Sequence, residues 1–578
     1  MKWMKWLKWI AITILLLLVL VVGALYWVLG TKSGLHFALN SATRFVPELT
    51  IGSIDGDIND LTLSGVKYQM PGVDVDAKKI HLALRLKCLT SREVCIDDLS
   101  TESVMVNVDT SQFPPSEETP PSEPLTELNA PLTIRLAQLA LVDTHVNVDG
   151  TVIDLDKFAT GITWQKRAIE ITPTDIINLA ISLPPSEPAE TTKPVEPVVP
   201  EGEQPSLGDQ LKTLFSKPLL AELPEIILPV DLNVEGINAS NFQLKGDTDI
   251  TINSLNLKLE NEGQNVLLKQ LKVDAPQGNV AVSGSISLQE KWPVALSVIG
   301  ESRLEDLNGQ KVDLTLKGGL MDELMLALNL NGPITATLEA QTDLAQADFP
   351  IELTLESKKL TWPLVGESQY KFDDTRLRLN GRPSSYDLSL RSAITGQDLP
   401  PSKLLLDAKG NEEKIDLTRL RLSALQGNAD LSGVADWSKA ISWNMVLTLS
   451  GINTAKQYPE WPAKVEGKIA TRGSLYGGSW QLEIPEITLD GNVKQHILKA
   501  RGQAKGNAAG QWNIPDFNLL LGKNSVNVKG SLADKWNLDA KINAPALNGL
   551  VPGLGGVIIG DLKLRGDLQA PQALADLT

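Results

Sequence analysis

The sequence predicts an all-β chain behind one N-terminal transmembrane helix, and three observations support this. The chain opens with a long uncharged apolar run. After it, short runs in which apolar and polar residues alternate, bounded by Gly, Asn, Asp or Pro, recur along most of the chain. The composition is 42% hydrophobic but only 5% aromatic, so the apolar surface is mainly aliphatic. Because each run keeps one polar face, we expect mainly antiparallel strands with one wet side.

The apolar run from Trp9 to Leu29 is long enough to cross a bilayer. A helix of this length, at 1.5 Å per residue, spans the ~30 Å hydrocarbon core. Lys2, Lys5 and Lys8 precede it, so the positive-inside bias places the N-terminus in the cytoplasm. A cleaved signal peptide is the alternative, but it has a shorter apolar region and a small-residue cleavage site. We therefore expect residues 1–32 to form the cytoplasmic start and the anchor, with the rest of the chain in the bacterial periplasm.

The segments after the anchor predict a short helix and then a long β region. Residues 33–47 place apolar side chains on one helical face and end in a proline. Residues 48–578 form the β region, which two Pro- and Glu-rich segments, 111–130 and 184–206, interrupt. These segments cannot bury enough apolar surface to order, so we predict extended excursions. Residues 207–216 are predicted to form one or two helical turns.

Strand patterns recur about every ten residues, which predicts roughly 45 strands. Clear examples are 73–76, 79–86, 103–109, 249–260, 311–319, 323–332, 375–381, 444–451 and 525–530. Three segments also resemble one another, each with a strand, a glycine turn, a second strand and a nearby tryptophan. The turn glycines are predicted to be Gly284, Gly433 and Gly530. A repeated hairpin is typical of repeat architectures.

No sequence motif indicates catalysis or a cofactor. The net charge of −17 argues against nucleic-acid binding. The four histidines are scattered, and no nucleophile-elbow, zinc or phosphate-loop motif is present. Asp55, Asp57 and Asn59 imitate the start of a calcium loop but lack its glycine and its final glutamate, so a turn is the better interpretation. We therefore predict a protein that is not an enzyme and has no cofactor or metal.

The two cysteines are the residues of this sequence for which a specific chemical role is predicted. Cys88 and Cys95 are seven positions apart, with strand patterns on both sides. In an oxidising compartment this arrangement predicts a structural disulfide, because a short loop brings the two residues within reach.

Several stretches resemble the TamB family, the inner-membrane subunits of the translocation and assembly module within the AsmA-like, bridge-like lipid-transfer superfamily. The resembling stretches include residues 30–99, 450–495 and 543–556. The second of these begins with the sequence SGINTAKQYPEWPAKVEG. The resemblance implies a single-pass inner-membrane protein whose periplasmic part is a long, twisted, mainly antiparallel β-sheet, curled into a taco-like apolar groove. It also implies partnership with the outer-membrane barrel TamA, phospholipid transport, and assembly or secretion of outer-membrane proteins. Members of the family continue well past residue 578, so the chain resembles an N-terminal portion.

An apolar face suits a lipid path because acyl tails must stay out of water, at ~0.8 kcal/mol per methylene. One strand pattern, 323–332, places four leucines on one face. The predicted groove residues are Leu314, Leu316, Leu324, Leu326, Leu328 and Leu330. Two alternatives remain open from the pattern alone. One is a scaffold of closed β-sandwiches, and the other is a chaperone-like platform for outer-membrane proteins.

Overall fold

A computed structural model describes residues 46–113, 127–184, 206–364, 366–396, 399–548, 555–567 and 570–578. The predicted transmembrane helix lies outside the described residues, as do most of 33–47 and most of the two Pro- and Glu-rich segments. Among the residues that are described, no helix is both long and apolar enough to cross a membrane.

The chain divides into two units, of which the first holds β1–β13, apart from the first two residues of β13. Its strands are β1 Leu49–Asp57, β2 Asp60–Met70, β3 Val73–Leu84, β4 Glu93–Val108, β5 Ala130–Val148, β6 Thr151–Lys166, β7 Ala168–Ile171, β8 Thr174–Ser182, β9 Asp231–Lys245, β10 Ile250–Glu262, β11 Asn265–Ala275, β12 Gly278–Ser287 and β13 Pro293–Ser302. Short 3₁₀ turns cover Leu86–Ser91 and Thr110–Gln112.

The second unit holds one α-helix, α1 Leu207–Phe215, a 3₁₀ turn at Glu305–Leu307, and strands β14–β31. The strands are β14 Lys311–Gly319, β15 Leu324–Asn331, β16 Thr335–Thr342, β17 Ile351–Trp362, β18 Tyr370–Arg382, β19 Ser385–Gly396, β20 Ser402–Gly410, β21 Lys414–Ala424, β22 Gly427–Asp436, β23 Ile441–Asn453, β24 Ala463–Tyr476, β25 Ser479–Val493, β26 His496–Asn507, β27 Trp512–Leu521, β28 Asn524–Leu532, β29 Lys535–Ala544, β30 Ile558–Asp567 and β31 Ala570–Leu577.

The predicted all-β, mainly antiparallel fold is confirmed. In the second unit each strand from β14 to β31 pairs antiparallel with the next one along the chain. The strands are fewer and longer than the pattern predicts, with 31 among the described residues. For example, the separate patterns at 73–76 and 79–86 belong to the single strand β3.

Parallel pairing occurs in the first unit, next to the two Pro- and Glu-rich segments. β4 pairs parallel with β5, and both β7 and β8 pair parallel with β9. Parallel neighbours need a crossover connection of a dozen or more residues, which a hairpin turn cannot provide. The two segments are therefore the connections that this pairing requires.

The repeat glycines lie inside strands, so their prediction as turns between strands was wrong. Gly433 and Gly530 are interior to β22 and β28, with φ of 138° and 130°. A Cβ on either residue would lie 2.1 Å or 2.0 Å from a carbonyl oxygen of the next strand. Only glycine fits this close backbone approach, and here it bends a continuous strand. Gly284 sits in the same position within β12.

Helix α1 confirms the predicted helical turns and runs along one row of strand ends in the second unit. Ser206 and Asp209 form a capping box at its start. The Gly208 N–H donates to Trp437 O at 3.1 Å, and Asp348 N–H donates to Phe215 O at 2.8 Å. These bonds tie the helix to the β16–β17 connection at one end and to the end of β22 at the other.

Burial is shallow throughout the described residues. No large side chain among them is fully buried. The first unit has one small cluster, built from Leu61, Leu82 and Ile96. A closed sandwich would seal its inner side chains against a second sheet, and the described residues show no such sealed layer.

Candidate binding face

The register of the second unit builds an unbroken apolar line across eighteen strands. Each member of this line is the direct cross-strand partner of the next. The members, here called the central line, are Leu314, Leu328, Leu338, Leu355, Leu377, Leu390, Leu406, Leu420, Leu431, Leu447, Ile469, Ile487, Gly502, Phe517, Val528, Ala540, Leu562 and Ala575. The first ten are all leucine, and no polar side chain interrupts the line. At ~4.8 Å per strand it runs about 80 Å along the sheet.

The neighbouring register line on the opposite face is almost entirely polar. Its members are Asp313, Asn329, Thr337, Glu356, Arg376, Arg391, Leu405, Arg421, Asp430, Thr448, Lys468, Thr488, Arg501, Asn518, Asn527, Lys541, Asp561 and Asp576. Leu405 is its one apolar member. Since successive side chains point to opposite faces, the sheet has one aliphatic face and one charged face along its whole length.

The structure places all six sequence-predicted groove leucines on the apolar face. Leu314 and Leu328 belong to the central line, and Leu316 pairs directly with Leu326 beside it. Leu324 and Leu330 lie on the same face, nearer the ends of β15. These side chains are half-buried, except for Leu324, which is buried. Half-burial of these side chains fits an apolar face that no second sheet covers among the described residues.

Cross-strand ion pairs follow the polar face. Arg376 contacts Glu356 at 2.8 Å, and Arg472 contacts Glu483 at 2.6 Å. The hydrogen bond from Arg472 lowers the pKa of Glu483, and the same pair raises the pKa of Arg472. These groups are solvent-exposed, so each pair contributes little to stability. Their main consequence is a wet outer surface.

Aromatic rings at one row of strand ends pack over glycines of the adjacent strand. A Cβ on Gly473 would lie 2.4 Å from the Trp443 ring, and one on Gly506 would lie 2.7 Å from the Trp512 ring. Tyr386 covers Gly410 in the same way, and burial raises the pKa of its hydroxyl. Because glycine has no side chain, each ring can lie flat against the neighbouring strand.

The first unit has its own apolar line. Its members are Ile54, Leu63, Ile80, Thr101, Leu141, Phe158, Ile176, Ala239, Leu255, Val273 and Val280. Thr101 is the one polar member, and its buried hydroxyl has no hydrogen-bond partner. The parallel pairs keep this line intact because they preserve the in-and-out alternation.

On the polar side of the first unit, His81 bridges two carboxylates. Its Nε2 donates to Asp60 Oδ1 at 2.8 Å, and its Nδ1 contacts Asp98. The hydrogen bonds to Asp60 and then to Asp98 raise the pKa of His81. The Ser100 hydroxyl also donates to Asp98, at 2.8 Å. The imidazole thereby links β3 to both β2 and β4, so the arrangement is a cross-strand clamp.

The structure joins Cys88 to Cys95, with their Cα atoms 6.0 Å apart. The 3₁₀ turn Leu86–Ser91 and the left-handed Arg92 reverse the chain between β3 and β4, which brings the two residues together. Glu93 lies beside them, but a disulfide offers no thiolate, so this group is not a metal site. The sequence predicts the pairing, but it gives no sign of the His81 clamp, whose members come from three strands.

Comparisons with known proteins identify one family. The family described as "TamB, N-terminal domain" matches residues 20–578. The chain is 28% identical to the translocation and assembly module subunit TamB of Haemophilus influenzae, over 96% of this chain and 44% of that protein. It is 19% identical to an uncharacterized protein of Buchnera aphidicola from Acyrthosiphon pisum, over 93% of this chain and 54% of that protein. The chain thus spans about half the length of these relatives. No solved structure matches it significantly.

Proposed function

The chain belongs to the TamB N-terminal domain family, and on that premise we propose that it is part of a bridge along which phospholipids move towards the outer membrane. In this proposal the segment from Trp9 to Leu29 anchors the bridge in the inner membrane, and the β region lies in the periplasm. In the same proposal the protein acts with TamA in outer-membrane protein assembly or secretion. The role is non-enzymatic and needs no cofactor.

The observation that carries the proposal is the pair of register lines in the second unit. On one face, all eighteen consecutive positions of the central line are apolar. On the opposite face, seventeen of the eighteen positions in the neighbouring line are polar. Acyl chains gain ~0.8 kcal/mol for each methylene kept from water. An uninterrupted apolar face keeps the acyl chains out of water. Because its central line carries no polar side chain, no single position on it binds a lipid tightly. Such a surface favours sliding over fixed binding.

The proposal is tested by photo-crosslinking from two adjacent positions of β23. A photoreactive amino acid replaces either Leu447, on the central line, or Thr448, its exposed neighbour on the polar face. Both variants are made in the full-length protein, irradiated in cells, purified and analysed by mass spectrometry. We expect phospholipid adducts at Leu447 and none at Thr448.

Equal adducts at the two positions, or none at Leu447, would refute the lipid path. Adducts of Leu447 with outer-membrane proteins instead of lipids would favour the chaperone-like platform. The Thr448 variant controls for reactivity with bulk membrane lipid, since it differs by one residue and faces the other way.

A further inference from the structure

One loop at the strand ends opposite helix α1 is unlike its neighbours. The β23–β24 connection, 454–462, is nine residues long, whereas the turns at 425–426, 494–495 and 522–523 have two residues each. Thr454 holds the loop together, because its hydroxyl donates to Trp461 O at 2.5 Å and accepts from Ala463 N at 2.8 Å. These hydrogen bonds hold the loop in one conformation.

This fixed loop exposes two large aromatic side chains. Tyr458 is 41% exposed and Trp461 is 43% exposed. The Lys494 ammonium, from the β25–β26 turn, lies 3.9 Å from the centroid of the Trp461 ring. The Lys494 N–H also donates to Pro462 O at 2.8 Å, which binds the turn to the loop. Rings with an apolar body and a polar tip suit a boundary between hydrocarbon and water.

The surface around these rings is basic in a chain whose net charge is −17. Lys456, Lys464, Lys494 and Lys523 lie in or beside the loop and the next two turns on this row. Among the described residues these four lysines make no ion pair, whereas the polar face pairs many of its cations. Glu460 is the acidic residue of the loop. Because Gly522 N–H donates to Ile497 O at 2.7 Å, the turns form one continuous edge.

This edge, residues 454–464, 494–496 and 522–523, is here called the lysine lip. It opens directly onto the apolar face, since Val465 pairs with Ile452 and with Gly491 on that face. From Ala463 to Ile469 of the central line is about 20 Å along β24. An acyl chain reaches about 15 Å from its headgroup, half of the bilayer core. A headgroup at the lip would therefore place its chain ends near the central line.

We propose that the lysine lip binds the phosphate of a phospholipid whose acyl chains lie on the apolar face, an inference that rests on the proposed function. Lys494 and Lys523 hold the phosphate, while Trp461 and Tyr458 mark the boundary between headgroup and tails. The lipid then moves with a defined orientation, its headgroup at this row of strand ends and not at the row that carries helix α1.

The test uses two phospholipid probes, one photoreactive at the headgroup and one at the end of an acyl chain. Each probe is incorporated into nanodiscs that contain the full-length protein, and labelled peptides are mapped by mass spectrometry. We expect the headgroup probe to label the lysine lip and the tail probe to label peptides of the central line. Headgroup labelling at the α1 row, or equally at both rows, would overturn the proposal.

Variants make the test specific. Lys494→Glu with Lys523→Glu should reduce headgroup labelling at the lip at least fivefold and leave tail labelling intact. Lys494→Glu alone should reduce headgroup labelling at the lip, whereas Lys535→Glu, the same charge change at the opposite strand ends, should alter neither kind of labelling. Unchanged headgroup labelling in the double variant would refute the proposal, and protease resistance shows whether that variant is folded.

A further variant separates a lipid held on the face from an intact bilayer touching the lip. Leu447→Arg should abolish tail labelling, and headgroup labelling at the lip should fall with it. Headgroup labelling that persists there would mean that the lip contacts the bilayer surface, which overturns the proposal. Absence of tail labelling in the parent protein would instead refute the proposed function itself.

Discussion

A charge on the apolar face should stop transport without unfolding the protein, and Leu326→Arg is the sharpest case. Leu326 lies beside the central line, between Leu316 of β14 and Ala340 of β16. Its side chain is half-buried, and no second layer covers it among the described residues. An arginine there can keep its stem on the sheet and extend its guanidinium into solvent.

The structure sets the size of the effect. Fully burying a leucine contributes about 1.5–3 kcal/mol. Leu326 is only half-buried and the arginine stem restores some apolar contact, so we expect the free energy of unfolding to fall by about 1–2 kcal/mol. In a sealed sandwich core the same change would bury an unpaired charge and cost more than about 4–5 kcal/mol. The two architectures therefore differ by a measurable margin.

The assay measures protease resistance and phospholipid transfer for the full-length protein. Asn329→Arg is the matched control, since it adds the same charge to the same strand on the opposite face, across from Asp313. We expect Leu326→Arg to keep its resistance and lose transfer, and Asn329→Arg to keep both. Lost resistance in Leu326→Arg would refute the open face. Full transfer in a folded Leu326→Arg protein would show that this part of the face is not on the lipid path.

Three further outcomes are expected. Cys88→Ser should lower the free energy of unfolding of the first unit by about 2–3 kcal/mol, from the entropy of its short closed loop; free thiols in protein from an oxidising compartment would contradict the bridge. A double-mutant cycle on Arg376 and Glu356 should give a coupling below about 1 kcal/mol that shrinks in high salt, and a larger, salt-insensitive value would contradict an exposed pair. The raised pKa of His81 means that its stabilisation is complete below the unfolded pKa of about 6.5 and is lost as pH rises through the folded pKa. Denaturant titrations across that range should show the loss in the parent and not in His81→Asn, and identical pH profiles would contradict it.

Residue alternation predicts the all-β fold and the apolar face of single strands, although it overestimates the number of strands. The pattern over 323–332 predicts β15 to within one residue at each end and places its four leucines correctly on one face. This succeeds because the period of two is a direct consequence of strand geometry. The spacing of Cys88 and Cys95 predicts their pairing for a similarly local reason, since a short loop keeps the two residues close together.

Features that depend on the register between strands, or on backbone conformation within a strand, could not be predicted in this way. The central line exists because the registers of seventeen strand pairs coincide, and alternation within one strand says nothing of its register with the next. The prediction of Gly433 as a turn failed because a mid-strand glycine with positive φ and a turn glycine look alike in sequence. The parallel pairs could have been inferred, since the Pro- and Glu-rich segments are longer than any hairpin needs.

The single-layer arrangement of the second unit predicts that one substitution affects the proposed transport more than it affects stability. Each strand of the second unit pairs only with its neighbours along the chain, so stability is a sum of local contributions, as in other repeat architectures. A lesion on one strand therefore destabilises its own neighbourhood and leaves distant strands paired. Under the proposed function, transport along the central line depends instead on every strand, because each lipid would have to pass all of them. One charge on the central line would then block the whole path, while the free energy lost is that of a single half-buried side chain.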